Sequence, residues 1–150
     1  MGRVSATQEV VGPLDAAERL WYDTSRWSAF IDGFARVVEA TGAWPGPGSR
    51  VVWESTPAGR GRVVERVVDQ RPGDGQEVRV EDPRLTGTQR IGFSALEDSV
   101  EIDLELEYQL VQGGPFGGIV DLLFVRRALR DSLRRTLERF ALTLEDGRAS

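Results

Sequence analysis

The 150-residue chain predicts an α+β domain, a run of antiparallel strands closed by one long C-terminal helix. Two segments carry that prediction. Between Ser99 and Val111, the apolar Val100, Ile102, Leu104, Leu106, Tyr108 and Leu110 alternate with Glu101, Asp103, Glu105, Glu107 and Gln109. That period of two marks a strand with one dry and one wet face. From about Gly118 to Leu144, Ile119, Leu122, Leu129, Leu133, Leu137, Phe140 and Leu144 recur at helical spacing, with Arg127, Arg130, Asp131, Arg134 and Glu138 on the far side. One dry sheet face and one amphipathic helix make a complete two-layer core.

The remaining elements follow in order. Arg3–Val10 reads as the first strand, and Pro13 opens a short helix on which Leu14, Ala17, Leu20 and Trp21 share a face. A second helical piece follows near Trp27–Phe30. Phe34–Gly42, Arg50–Thr56, Arg60–Arg71, Glu77–Glu81 and Leu85–Ala95 are Val- and Thr-rich runs with strand character. Glycines and prolines punctuate them, as in Pro57-Ala58-Gly59 and Pro72-Gly73-Asp74-Gly75. Pro115 and its flanking glycines feed the last helix, and Gly147 is expected just past its end, where a left-handed cap is common. The acidic outer row of Ser99–Val111 is expected to discourage edge pairing. No repeat or long linker divides the chain, so residues 1–150 are read as one domain.

Composition excludes several kinds of chemistry. The chain has no His and no Cys, which removes imidazole acid/base catalysis, a Ser-His-Asp triad, a Cys nucleophile and a His-ligated metal. No cluster of acids suggests a Mg²⁺ or Ca²⁺ loop, so neither metal nor cofactor is expected. A net charge of −5, with all 19 basic residues Arg, argues against nucleic acid as a partner. No apolar run approaches the roughly 20 residues needed to span a bilayer, and the N-terminal residues lack a signal-peptide core. The expected address is the cytoplasm, without membrane insertion.

Local strings then point to a family. Gly12-Pro13-Leu14-Asp15 is followed by Asp23-Thr24-Ser25-Arg26-Trp27 and by Phe30. Gly46-Pro47-Gly48-Ser49-Arg50 precedes a strand, Gly61-Arg62-Val63-Val64-Glu65 lies within one, and Leu137-Glu138-Arg139-Phe140 falls late in the final helix. These strings and the element order resemble the START-like polyketide cyclase/dehydrase and lipid-transport superfamily, also called SRPBCC. There, A-P-x-E-x-V-W and D-x-x-x-W-P-x-F stand at the same spacing. The resemblance covers nearly the whole chain. It departs at Ala17-Glu18, where Val-Trp or Val-Phe is usual, and at Ser28, where Pro is usual. It implies a helix-grip fold, in which a curved antiparallel sheet wraps around the long C-terminal helix and two short helices follow the first strand. It also implies an apolar cavity between sheet and helix, typically of roughly 300–1,000 Å³. The superfamily contains enzymes, carriers and co-chaperones, so its motifs specify the fold better than the reaction.

Face parity directs Leu104, Leu106 and Tyr108 inward on one strand and Ile91 and Phe93 inward on another. Arg50–Thr56 and Arg60–Arg71 carry apolar residues on both faces, so parity leaves them open. Similarity to the aromatase/cyclase branch implies that Val51, Trp53 and Ser55, and likewise Arg62, Val64, Arg66, Val68 and Gln70, face inward. Arg126 falls inside the apolar arc of the last helix. It either snorkels to the pocket mouth or reaches in to hold a carboxylate, phenolate or enolate. The candidate ligand wall is Trp27, Phe34, Trp53, Gln70, Phe93, Tyr108 and Leu123, with Arg66 and Arg126 as polar handles. Trp27 and the other aromatics also suit ordinary core roles, and Arg66 also suits a solvated strand face.

Three functions fit this reading. The first is a carrier or sensor, monomeric or homodimeric, for a small hydrophobic or aromatic ligand of polyketide-like or lipid-like character. The alternative is an aromatase/cyclase-like enzyme with Arg66, Tyr108 and Arg126 as catalytic candidates. Without His, acid/base work would then fall to Tyr108, to an Arg-tuned water or to a desolvated carboxylate such as Glu54. Gln70 stands where the resemblance places an inward cyclase arginine, which counts against that chemistry. The third is a protein-interaction module, for which only the Arg127–Arg130–Arg134 stripe and Phe124 suggest a docking surface.

Overall fold

The structure, a computed structural model, describes residues 1–111 and 122–149. Seven strands form one antiparallel sheet: β1 (Gly2–Val11), β2 (Phe34–Thr41), β3 (Arg50–Ser55), β4 (Arg62–Arg71), β5 (Gly75–Glu81), β6 (Leu85–Ala95) and β7 (Ser99–Leu110). Their spatial order is β1-β7-β6-β5-β4-β3-β2. Helix α1 (Leu14–Tyr22), a 3-10 turn (Thr24–Arg26) and helix α2 (Trp27–Phe30) carry the chain from β1 to the opposite edge at β2. The long helix α3 (Leu122–Ala149) closes the fold. This is the helix-grip arrangement that the sequence predicts.

Short polar side chains set several boundaries. Asp82 Oδ1 accepts from the backbone N–H groups of Arg84 and Leu85, an Asx turn that starts β6. Asp23 Oδ1 accepts from the Ser25 N–H and opens the 3-10 turn. The expected helix start at 118–121 lies outside the described residues. At the other end α3 runs on to Ala149, so Gly147 sits inside the helix and not beyond it.

On β7 the alternation holds along the strand: Val100, Ile102, Leu104, Leu106 and Tyr108 are buried. The acidic row guards no edge, however, because β1 and β6 flank β7 on both sides. Glu105 and Glu107 are ion-paired instead. Glu107 accepts from Arg3 at 2.8 Å and from Arg90 at 2.9 Å, and Arg90 also reaches Glu105 at 3.2 Å.

Helix α3 lies along β1 and against α1 and α2. Leu133, Leu137, Phe140 and Leu144 are its buried face. Phe140 packs edge-on against Phe30 at 5.1 Å and Trp21 at 5.6 Å, which locks α3 to the two short helices. Asp32, just after α2, adds a polar clamp. Its carboxylate accepts from Ser132 Oγ, from Arg135 Nε and Nη2, and from Arg139 Nη1, while its N–H donates to Thr136 Oγ1.

Candidate functional site

All four tryptophans of the chain, Trp21, Trp27, Trp44 and Trp53, line one cavity between the sheet and the helices. Its enclosed volume is about 40 Å³, room for a few water molecules and far below the size that the resemblance implies. The indole N–H groups are anchored. Trp27 donates to the Trp21 carbonyl at 2.8 Å and Trp44 to the Tyr22 carbonyl at 2.9 Å. Both carbonyls end α1 and have no partner within that helix. Trp53 donates instead to a carboxylate, Glu65 Oε2, at 2.6 Å.

Glu65 is the chemically unusual group. It is 9% exposed, faces the cavity from β4, and makes no ion pair within 4.0 Å among the described residues. Burial pushes its carboxyl above the usual range, although the Trp53 hydrogen bond and the nearby charge of Arg60 oppose the shift. Arg60 lines the same cavity, over the Trp53 ring at 5.8 Å. Its Nε bonds Asp82 at 2.8 Å, while its Nη2 is buried and has no partner among the described residues. Gln76 and Gln89 contribute further polar edges. Tyr22, on α1, stands behind Trp44 and Phe93 in edge-on contacts at 6.5 and 6.2 Å. Burial and the neighbouring Glu18 charge push its hydroxyl up to about 12, against the influence of Gln70.

Comparison with known proteins fits this geometry. A family model described as polyketide cyclase/dehydrase and lipid transport matches residues 1–145. The chain belongs to this family. No curated protein matches it. Among solved structures, a Thermus thermophilus protein shares 17% identity at a TM-score of 0.79, covering 97% of this chain and 99% of that one. A START superfamily protein from Mycobacterium smegmatis shares 14% at a TM-score of 0.77, covering 96% and 97%. A norcoclaurine synthase point mutant from Thalictrum, solved with a transition-state analogue, shares 12% at a TM-score of 0.69, covering 98% and 96%. At these identities the likeness is one of fold.

Within this member of the polyketide cyclase/dehydrase and lipid-transport family, the expected site residues separate. Trp27 and Trp53 are on the cavity wall, and Phe34 packs against both, at 6.2 and 5.5 Å. Phe93 is buried against Tyr22. Tyr108 is buried over Gly2, its cross-strand partner, where any Cβ would overlap the ring. Arg66 is exposed on the outer face, and the expected facing of β4 is corrected: Val63, Glu65 and Val67 point inward, while Arg62 and Arg66 point out. The cause is a β-bulge between Val67 and Asp69, which reverses parity along the strand. Gln70, beyond the bulge, stands opposite the buried Gln76 and is back on the inner face, so counting back from it by twos reaches the wrong face. Arg126 is exposed and Leu123 is 77% exposed, so neither joins this cavity. Glu54 is likewise an outer-face group. Hydrogen bonds from Arg62 and Arg36 hold its carboxyl below the usual range, the opposite of a desolvated acid.

Proposed function

We propose that this protein binds a mostly apolar small molecule between its sheet and its long helix, as a carrier or sensor. One observation carries the reading, the convergence of all four indoles on a single internal cavity, whose volume of about 40 Å³ must widen to admit a ligand. Tryptophan faces suit flat or alicyclic apolar ligands, and fixed N–H groups hold those faces in place before a ligand arrives. The family description, which joins polyketide cyclisation with lipid transport, supports the same ligand class. No helix among the described residues is long and apolar enough to cross a membrane.

An aromatase/cyclase-like enzyme is the second reading, favoured by the buried carboxyl of Glu65 beside Arg60. A desolvated carboxyl can serve as proton donor or acceptor in a chain without His. Tryptophan fluorescence tests the shared premise. Titration with an apolar dye such as ANS, and then with competing aromatic ligands, should shift indole emission saturably at one site per chain. Emission that changes linearly with dye, without saturation, would contradict a built pocket. Turnover of a poly-β-ketone mimic, lost in Glu65→Gln while affinity persists, would move the assignment from carrier to enzyme.

A further inference from the structure

We propose that Arg60 and Glu65 form a two-donor cradle that selects ligands carrying a lone acceptor oxygen, a ketone or ester carbonyl, on an otherwise apolar body. The proposal rests on the pocket reading above and adds the ligand's head group to it.

The cavity wall holds hydrogen-bonding capacity that the protein itself does not use. Asp32, Ser132 and Thr136 line one side, and their polar atoms are engaged with one another and with Arg135 and Arg139. Gln76 Nε2 donates to the Pro45 carbonyl at 3.0 Å. The Trp53 side is different. Arg60 Nη2 carries N–H groups, is shielded from solvent and has no acceptor among the described residues. A buried donor of that kind is costly unless a bound group satisfies it.

Glu65 sets the sign of the second group. Its Oε2 already accepts the Trp53 N–H. Arg60 is committed to Asp82, whose side chain is 1% exposed, and does not ion-pair with Glu65. A carboxylate so buried, with one neutral hydrogen bond and with Arg60 shared with Asp82, is poorly compensated, so the neutral acid is the favoured form. In that form Oε2 is the accepting carbonyl oxygen, and the proton on Oε1 is left to donate. Arg60 N–H and Glu65 O–H are then two donors on one wall of a space of about 40 Å³, which takes a carbonyl oxygen, while the apolar body requires the gap between sheet and helices to widen. An acceptor oxygen completes both bonds. A hydrocarbon leaves both unmet, and an ammonium opposes Arg60.

Three naphthalene probes of similar shape test this by calorimetric or fluorescence titration: 2-acetonaphthone, 2-ethylnaphthalene and the protonated 1-(2-naphthyl)ethylamine. The readout is the ratio of affinities within each protein, with thermal melting to check folding. Wild type should favour the ketone over the hydrocarbon by about tenfold or more, as one or two buried hydrogen bonds imply. Arg60→Lys keeps a charge for Asp82 but loses the guanidinium fork, and Glu65→Met loses the donor. Both should bring the ratio towards one. Glu65→Gln keeps an N–H donor and should retain the preference. Should Arg60→Lys fail to fold, the Glu65→Met and Glu65→Gln pair reads the same cradle. Saturable binding of ketone and hydrocarbon with equal affinity overturns the cradle and leaves the pocket standing. A ratio that survives in both Arg60→Lys and Glu65→Met overturns it too, as does tighter binding of the amine than the ketone. Absence of saturable binding by any probe overturns the pocket reading and the cradle with it.

Discussion

Glu65 couples the cavity to pH. Below the ordinary carboxyl value of 4.5 it is protonated in folded and unfolded chains alike. As pH rises above that value, the unfolded chain releases the proton first, because burial raises the folded-state value. Stability therefore declines with pH until the folded-state value is passed, and then levels off. Glu65→Gln keeps an acceptor for the Trp53 N–H and removes the ionisation. Its unfolding free energy should stay flat where that of wild type falls, so the variant gains on wild type as pH increases through that window. Chemical denaturation at a series of pH values measures the difference. Parallel curves would mean that Glu65 is not held neutral. The residue was legible in the sequence only as part of the Gly61–Glu65 string. Its inward direction was hidden by the bulge after Val67, which no residue pattern announces. The facing of Trp53 was legible only through the resemblance, because the consecutive residues Val51, Val52 and Trp53 are all apolar and all buried.

Among the elements, α3 holds the fold closed by one apolar stripe and one polar clamp. Leu137 is 1% exposed within that stripe, so Leu137→Ala should cost about 2–5 kcal/mol in denaturant unfolding. A loss under about 0.5 kcal/mol would show that the helix is not integral to the core. Asp32 secures the same helix to the end of α2. Burial raises its carboxyl value, but hydrogen bonds from Arg135 and Ser132 and the charges of Arg135 and Arg139 outweigh burial, and the net shift is downward. Its contribution is thus present above the ordinary value of 3.8 and is lost as pH falls through the lowered one. Asp32→Ala should cost about 1–2 kcal/mol near neutral pH, discounted for partial exposure, and the two proteins should converge in acid. A gap that persists in acid would assign the effect to packing. Helix and strand periods made α3 and β7 readable from sequence, since β7 buries one face along the strand and α3 buries one from Leu133 to Leu144. The clamp was not readable, because Asp32 meets residues about a hundred positions away and no local pattern marks the pairing.

At the scale of the molecule, the order of elements and the strings around Pro13 and Trp27 were enough to expect the helix-grip sheet. What they left open was which polar groups face its interior. Arg66, the polar handle that the resemblance directed inward, lies outside, and the charge that does reach the cavity comes from Arg60, at the entry to β4. Face parity therefore finds the apolar wall on β6 and β7, whereas the resemblance put Arg62 and Arg66 on the wrong face of β4. The proposed function requires a cavity that takes up a small apolar molecule. Native mass spectrometry of the protein purified from its own host, sprayed from volatile buffer without detergent, tests this most directly. A bound species of a few hundred daltons is expected at one per chain, extractable into organic solvent and reduced when Trp53→Ala opens the wall. A single apo mass, unchanged on incubation with excess apolar aromatic ligands, would contradict it.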